Sequence, residues 1–282
     1  MAEITSEPAA PAALLIDEGA DFVPATDQLL YERRGAIALL TFNRPAARNA
    51  MTWAMYEGLH DACAHVDADD RVRAFVLRGA GDEAFVAGTD IGQFRSFSGA
   101  DDALTYERNL DRVFGRLDAV QKPTIAMIRG YCVGGGALIA SACDLRIASP
   151  DARFGLPIAR TLGNILSVQN FARLVAQIGP ARTKEIVFTA RMIGADEGRS
   201  IGLFNEIVEA DRLEERTLEL AAVVAGHAPL TLRAAKEAVR RILEHITPDE
   251  SDDLVLMCYL SDDFKEGVSA FLDKRRPQWT GR

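Results

Sequence analysis

The stretch GYCVGGGALIASACDLRIAS, residues 130–149, decides the reading of this chain. An apolar run, PTIAMIRG (123–130), leads into three consecutive glycines, Gly134, Gly135 and Gly136. An apolar helical pattern over roughly 135–142 follows, and DLRIAS (144–149) is strand-like again. The first turn of a helix has N–H groups without intrahelical partners and a partial positive charge. Glycine lets a ligand oxygen come close to those groups. Other glycine-rich patterns do not fit. A dinucleotide fingerprint G-x-G-x-x-G breaks at Ile139, a P-loop ending in G-K-[ST] fails at Ala137 and Leu138, and a G-x-S-x-G nucleophile elbow is absent from the whole chain. One glycine here would read as close strand–helix packing. Three at a helix start read as backbone donors aimed at an oxygen whose charge grows during a reaction.

Outward from this stretch, strands and helices alternate. AIALLTF (36–42) is β-like and ends at NRPAARNA, where Pro45 stops it. Residues 49–67 carry Met51, Met55, Leu59, Cys63 and Val66 at helical spacing. RAFVLRG (73–79) reads as a buried strand with Gly79 and Gly81 at its turn, and 101–118 as a helix. EAFVAGTDIGQF (83–94) is a short strand opening into a loop, in which Gly88 permits a sharp turn and the Thr89 N–H can serve as a second donor. ARFG (152–155) and FNEIVE (204–209) are further strand candidates. From about 164 onward the pattern is mostly helical, punctuated by Gly163, Gly179-Pro180, Gly194 and Pro229. The class is α/β with a helical tail. Residues 1–26, rich in Ala, Pro and acids, read as a loose leader, 27–210 as the α/β core and 211–282 as a helical region.

The composition narrows the function. With 32 Lys and Arg against 41 Asp and Glu, the net charge is −9, which argues against general nucleic-acid binding. The four cysteines, Cys63, Cys132, Cys143 and Cys258, form no C-x-x-C pair, so reduced, packed thiols are expected and no zinc site. No apolar run is long enough to span a membrane. The first basic residue is Arg33, so the N-terminus lacks the basic region of a signal peptide, and a cytoplasmic location is expected.

FNRPAARNAM, FVAGTDI, PTIAMIRGYCVGGGALIASACDLRIAS, ARFGLP and FLDKRRPQWTGR fall in order along residues 30–282. Together they resemble the enoyl-CoA hydratase/isomerase (crotonase) superfamily. The resemblance implies a spiral of strand–strand–helix turns with a C-terminal helical trimerisation region, in a homotrimer or homohexamer. It also implies an acyl-CoA thioester as substrate, coenzyme A entering as part of the substrate and no permanently bound cofactor. By the same resemblance, the N–H groups of Thr89 and Gly135 form an oxyanion hole for the thioester oxygen. Ala87, Gly88, Asp90, Ile91 and Gly134 border the ligand, and Arg44 and Arg48 approach the CoA phosphates. Asp90 and Asp144 match family positions, and both read as structural acids that satisfy backbone groups.

This sequence departs from the family pattern at two positions. The hydratases place glutamates where this chain has Leu138 and Ile158. Adding water across a conjugated double bond needs a group that activates water and a route for a proton to the α-carbon. Leucine and isoleucine supply neither and suit an apolar acyl chain. IARTLGNILSVQN (158–170) offers Arg160, which could bind a carboxylate, and Asn164, which could orient water. Glu107 and Asp111, at i and i+4 on the helix after the Thr89 loop, are candidates for a relocated acid, although a solvated face beside Arg108 and Arg112 is the plainer expectation. Cys132 is expected to be a packed thiol, and the four histidines to have no catalytic partner. Three readings follow: a hydratase or isomerase with a relocated acid, an acyl-CoA decarboxylase in which loss of carbon dioxide generates the enolate, and a non-catalytic acyl-CoA binding protein.

Overall fold

The computed structural model describes residues 22–244 and 252–280. The leader expected over residues 1–26 therefore lies, up to residue 21, outside the described residues; Phe22 stacks on His65 with ring centroids 4.8 Å apart. In chain order the strands are β1 (Leu29–Arg34), β2 (Ile37–Phe42), β3 (Ala74–Gly79), β4 (Ala84–Ala87), β5 (Thr124–Ile128), β6 (Tyr131–Val133), β7 (Leu145–Ala148), β8 (Arg153–Gly155), β9 (Met192–Gly194) and β10 (Glu206–Ile207). The helices are α1 (Trp53–Ala68), α2 (Ala100–Asp118), α3 (Gly135–Ala142), α4 (Ile158–Thr161), α5 (Val168–Thr189), α6 (Ala195–Ser200), α7 (Leu213–Ala225), α8 (Pro229–Glu244), α9 (Asp252–Tyr259) and α10 (Asp262–Leu272).

Successive strands go to two different sheets. One has the order β1-β2-β3-β5-β7-β10 and the other β4-β6-β8-β9. Thus β3-β4, β5-β6 and β7-β8 each place one strand in each sheet and are each followed by helix, which is the strand–strand–helix spiral. The β2, β3, β5 and β7 pairings are parallel, and β1 adds antiparallel to β2. Parallel strands covered on both faces read as unbroken apolar runs, and IALLTF is buried at all six positions. Its alternate residues serve two cores. Ala38, Leu40 and Phe42 face the main one, while Ile37 and Leu39 pack with Leu213, Leu218 and Ala221 of α7. Each fully buried aliphatic or aromatic side chain contributes about 1.5–3 kcal/mol.

Several sequence expectations change. Met51 has helical spacing but precedes α1, which Thr52 caps by accepting from Met55 N at 3.3 Å. Met51 instead bridges to Thr89. The strands β1, β6 and β9 are too short or too polar in alternation to stand out from the sequence, and FNEIVE yields only the two-residue β10. The C-terminal helices fold back over the core. A β-carbon added at Gly267 of α10 would stand 2.4 Å from the Leu162 carbonyl oxygen, so α10 lies directly on the segment after α4. Among the described residues, no helix is long and apolar enough to cross a membrane.

Candidate active site

The parallel pairing of β4 with β6 puts Ala87 opposite Val133. The chain leaves both strands at the same end, so Gly88-Thr89 and Gly134-Gly135 emerge side by side. Both turns need glycine. Gly88 has φ +97°, and Gly134 has φ +54° and ψ −119°, backbone that residues with a β-carbon rarely adopt. The approach is close: a β-carbon on Gly134 would be 3.5 Å from Gly88 Cα, and one on Gly136 would be 2.1 Å from the Val86 carbonyl oxygen.

Two backbone amides are thereby prepared. Met51 donates to the Gly88 carbonyl at 2.9 Å and accepts from Asp90 N at 2.9 Å. That bridge uses the groups on either side of Thr89 and leaves the Thr89 amide out of it. In α3 the first intrahelical bond runs from Leu138 N to Gly134 O at 3.1 Å, and no side chain caps the helix. The Gly135 amide thus opens the helix without an intrahelical acceptor.

Side chains crowd the same point. Tyr56 Oη of α1 lies 2.8 Å from Thr89 Oγ1, and Tyr106 Oη of α2 lies 3.1 Å from it on another side. A β-carbon at Gly135 would be 2.5 Å from Tyr56 Oη and 3.5 Å from Thr89 Oγ1. Burial holds the Tyr56 and Tyr106 hydroxyls well above their ordinary pKa, with the charge of Glu107 adding to the shift of each. They are neutral hydrogen-bond donors, not bases. A cavity of about 280 Å³ runs along these residues, lined by Trp53, Tyr56, Phe97, Tyr106, Leu110 and Val113 among others.

A family model described as enoyl-CoA hydratase/isomerase matches residues 32–282. The chain belongs to that family. It is 33% identical over 254 residues to the short-chain-enoyl-CoA hydratase of Clostridium acetobutylicum, covering 89% of this chain and 96% of that protein. Among solved structures it resembles an enoyl-CoA hydratase/carnithine racemase from Magnetospirillum magneticum, with a TM-score of 0.75 and 34% identity over 92% of this chain and 97% of that one. It also resembles methylmalonyl-CoA decarboxylase in complex with 2-nitronate-propionyl-CoA, with a TM-score of 0.84 and 29% identity over 92% of this chain and 100% of that one.

The remaining sequence candidates are distributed unevenly in this member of the family. Asp90 caps the 3-10 turn Ile91–Ser96 by accepting from Gly92 N at 3.1 Å. It also takes Arg44 Nη2 at 3.1 Å, while Arg44 Nη1 donates to the Ala50 carbonyl at 2.6 Å. Arg44 thus ties the loop before α1 to the Thr89 loop. Arg48 pairs with Glu83 at 2.9 Å and lies over the Tyr131 ring. Ala87 N donates to the Arg48 carbonyl at 3.0 Å. Asp144 accepts from Thr124 N at 2.7 Å and Thr124 Oγ1 at 2.9 Å. Cys132 is buried, and its thiol is pushed up by that burial.

Leu138 and Ile158 are buried in the main core and do not line the cavity beside Tyr56. Arg160 is exposed on α4. Asn164 is 9% exposed and donates from Nδ2 to Tyr259 Oη at 3.2 Å; its Oδ1 is buried without a partner among the described residues.

Glu107 corrects the expectation of a solvated face. Arg108 and Arg112 do turn outward, to Asp252 and Glu57, but Glu107 is 3% exposed. It accepts from Tyr259 Oη at 2.6 Å and Ser167 N at 3.2 Å. Asp111 accepts from Ser167 Oγ at 2.5 Å and Asn170 Nδ2 at 3.0 Å. Desolvation pushes the Glu107 carboxyl up to about 8, with nearby Asp111 adding to it, against the lowering effect of the two hydrogen bonds. At neutral pH it is mostly a carboxylic acid. The i, i+4 pair was visible in the sequence; its burial depends on α9 and the segment 164–167 folding over α2. Tyr56 and Tyr106 escaped the sequence reading because tyrosines at helical spacing carry no signal that separates a core ring from a site hydroxyl.

Proposed function

We propose that this protein binds an acyl-CoA thioester with its carbonyl oxygen between the amides of Thr89 and Gly135 and stabilises the enolate formed there, in a reaction of the enoyl-CoA hydratase/isomerase type. The observation that carries this reading is the Ala87–Val133 register, which sets side by side, at adjacent strand ends, two amides that donate to no other backbone group among the described residues. Donors fixed before charge develops favour the enolate over the neutral thioester. Ala87, Gly88, Asp90, Ile91 and Gly134 shape the approach, and Arg48 at the rim is the better placed of the two arginines for a CoA phosphate, since Arg44 is spent on Ala50 and Asp90.

A second reading, decarboxylation of a malonyl-type thioester, is supported by the buried Leu138 and Ile158 and by the likeness to the decarboxylase structure. Loss of carbon dioxide supplies the enolate electrons directly and requires no carboxylate base. Neither Arg160, which is exposed, nor Asn164, which donates to Tyr259, lines the cavity beside Tyr56.

The test is turnover of crotonyl-, 3-hexenoyl-, malonyl- and methylmalonyl-CoA by mass spectrometry. Gly135→Pro removes the amide donor and also adds a β-carbon that meets Tyr56; Gly135→Ala adds that carbon and keeps the amide. The proline variant is expected to be roughly 10²–10³-fold slower than the alanine variant on whichever substrate reacts. Equal rates for the two would remove Gly135 from the oxyanion site. Binding without conversion across the panel would turn the reading toward an acyl-CoA binding protein.

We take the assembly to be a homotrimer or homohexamer. Leu230, Val239 and Ile242 of α8 and Phe188 of α5 are large apolar side chains 57–75% exposed, as expected of faces that pack against other copies. Light scattering is expected to give three or six times the 30.7 kDa of one chain; a monomer at micromolar concentration would contradict this.

A further inference from the structure

Tyr56, Thr89 and Tyr106 form a chain of three hydroxyls with two hydrogen bonds between them, at 2.8 and 3.1 Å. Among the described residues these hydroxyls have no other partner. Each carries one proton. Three protons and two bonds leave one O–H unspent, whichever way the chain is oriented. One end of the chain is fixed by the fold: Tyr56 Oη stands against the face of Gly135, 2.5 Å from where a β-carbon would be. The Tyr56 ring is held by Trp53 at 6.2 Å and Phe114 at 6.0 Å, and Tyr56 is 3% exposed. A buried O–H without an acceptor is costly, and the natural acceptor at that place is an oxygen bound at the Gly135 amide.

We infer that Tyr56 is a catalytic residue: its hydroxyl is the third donor to the thioester oxygen, beside the amides of Thr89 and Gly135, with Thr89 and Tyr106 orienting it. This rests on the acyl-CoA reading above. No proton is transferred. The hydrogen bond strengthens as the oxygen gains charge, and the burial that keeps tyrosine neutral keeps the donor in place at every working pH. Tyr106 is a positioning residue. Without it, two hydroxyls share one bond and one O–H still remains unspent, so its loss loosens the donor without removing it. The arrangement also makes the glycine at 135 a requirement of Tyr56 as well as of the ligand.

The probe is [1-¹³C]crotonyl-CoA, and the readout is the infrared carbonyl band of the bound thioester, which moves to lower frequency as donors polarise it. The wild-type protein is expected to displace the band, Tyr56→Phe to lose a clear part of that displacement, and Tyr106→Phe to keep most of it. On the substrate that turns over, Tyr56→Phe is expected to lower kcat about 10²-fold with little change in KM. A ring cluster serving only as packing would respond alike to both tyrosine variants. Should Tyr56→Phe fail to fold, 3-fluorotyrosine introduced at position 56, a stronger donor of similar size, is expected to move the band further; an unmoved band overturns the inference. If crotonyl-CoA does not bind, or binds with an undisplaced band, the acyl-CoA oxyanion reading fails and this inference with it. If the band is displaced and Tyr56→Phe leaves it at the wild-type position, Tyr56 is not a donor and this inference alone fails.

Discussion

Between pH 4.5 and pH 8 the wild-type protein is expected to lose about 4 kcal/mol of stability relative to its Glu107→Gln variant. The group responsible has an ordinary value of 4.5 and stands at about 8 in the folded chain. Below pH 4.5 the carboxyl is protonated in both states and contributes no pH dependence. As pH rises toward 8 the unfolded chain releases its proton while the native chain keeps it, so the native state binds more protons and stability falls with pH. Above about 8 both states are ionised and the loss is complete. Glutamine cannot titrate, so subtracting the two profiles removes every other group. Urea unfolding of both proteins at fixed concentration across this range measures the difference, with a maximal slope of about 1.4 kcal/mol per pH unit. Parallel profiles would mean that Glu107 ionises in the usual carboxylate range and that Tyr259 and Ser167 hold it as an anion.

The second large effect separates three adjacent glycines by mechanism. Gly136→Ala is expected to cost about 4 kcal/mol or more, or to abolish folding. Its β-carbon would lie 2.1 Å from the Val86 carbonyl oxygen and 2.8 Å from Val86 C, and backbone in the middle of β4 cannot yield without breaking the pairing with β6. Gly135→Ala meets a side chain instead, Tyr56 Oη at 2.5 Å. It is expected to be milder, and Tyr56→Phe in the same chain should recover about 1–2 kcal/mol of its cost. Gly134→Ala has space but the wrong backbone, at φ +54° and ψ −119°, and should cost about 1–3 kcal/mol. Chemical denaturation of the three single variants and the double variant reads all of this. A Gly136→Ala protein with wild-type stability would place β4 and α3 further apart than they stand here.

What the sequence determined by itself was local and ordered. Apolar runs such as IALLTF and AFVLRG read as strands, and GYCVGGGALIA as a strand running through glycine into a helix; their parallel pairing came from the structure. Asp90 as a cap was legible because an acid directly before a turn finds free amides nearby. The motif order carried the family as well, since it spans nearly the whole chain. Met51 misled because helical spacing is also met by a residue just before a helix, and only its bridge to Thr89 shows where it belongs.

The tertiary structure decided everything that depends on two distant segments meeting. Tyr56 and Tyr106 are about 50 residues apart in the chain, yet share one hydroxyl on Thr89 because α1 and α2 pack together. Arg44 reads in the sequence as a residue for the CoA phosphates, and only the fold shows that it also joins Asp90. Glu107 looked solvated until Tyr259, 152 residues later, closed over it. In each case the side chain's chemistry was printed in the sequence and its environment was not. Burial turns a carboxylate into an acid and a core tyrosine into a donor, and burial is a property of what lies opposite, which no local pattern encodes.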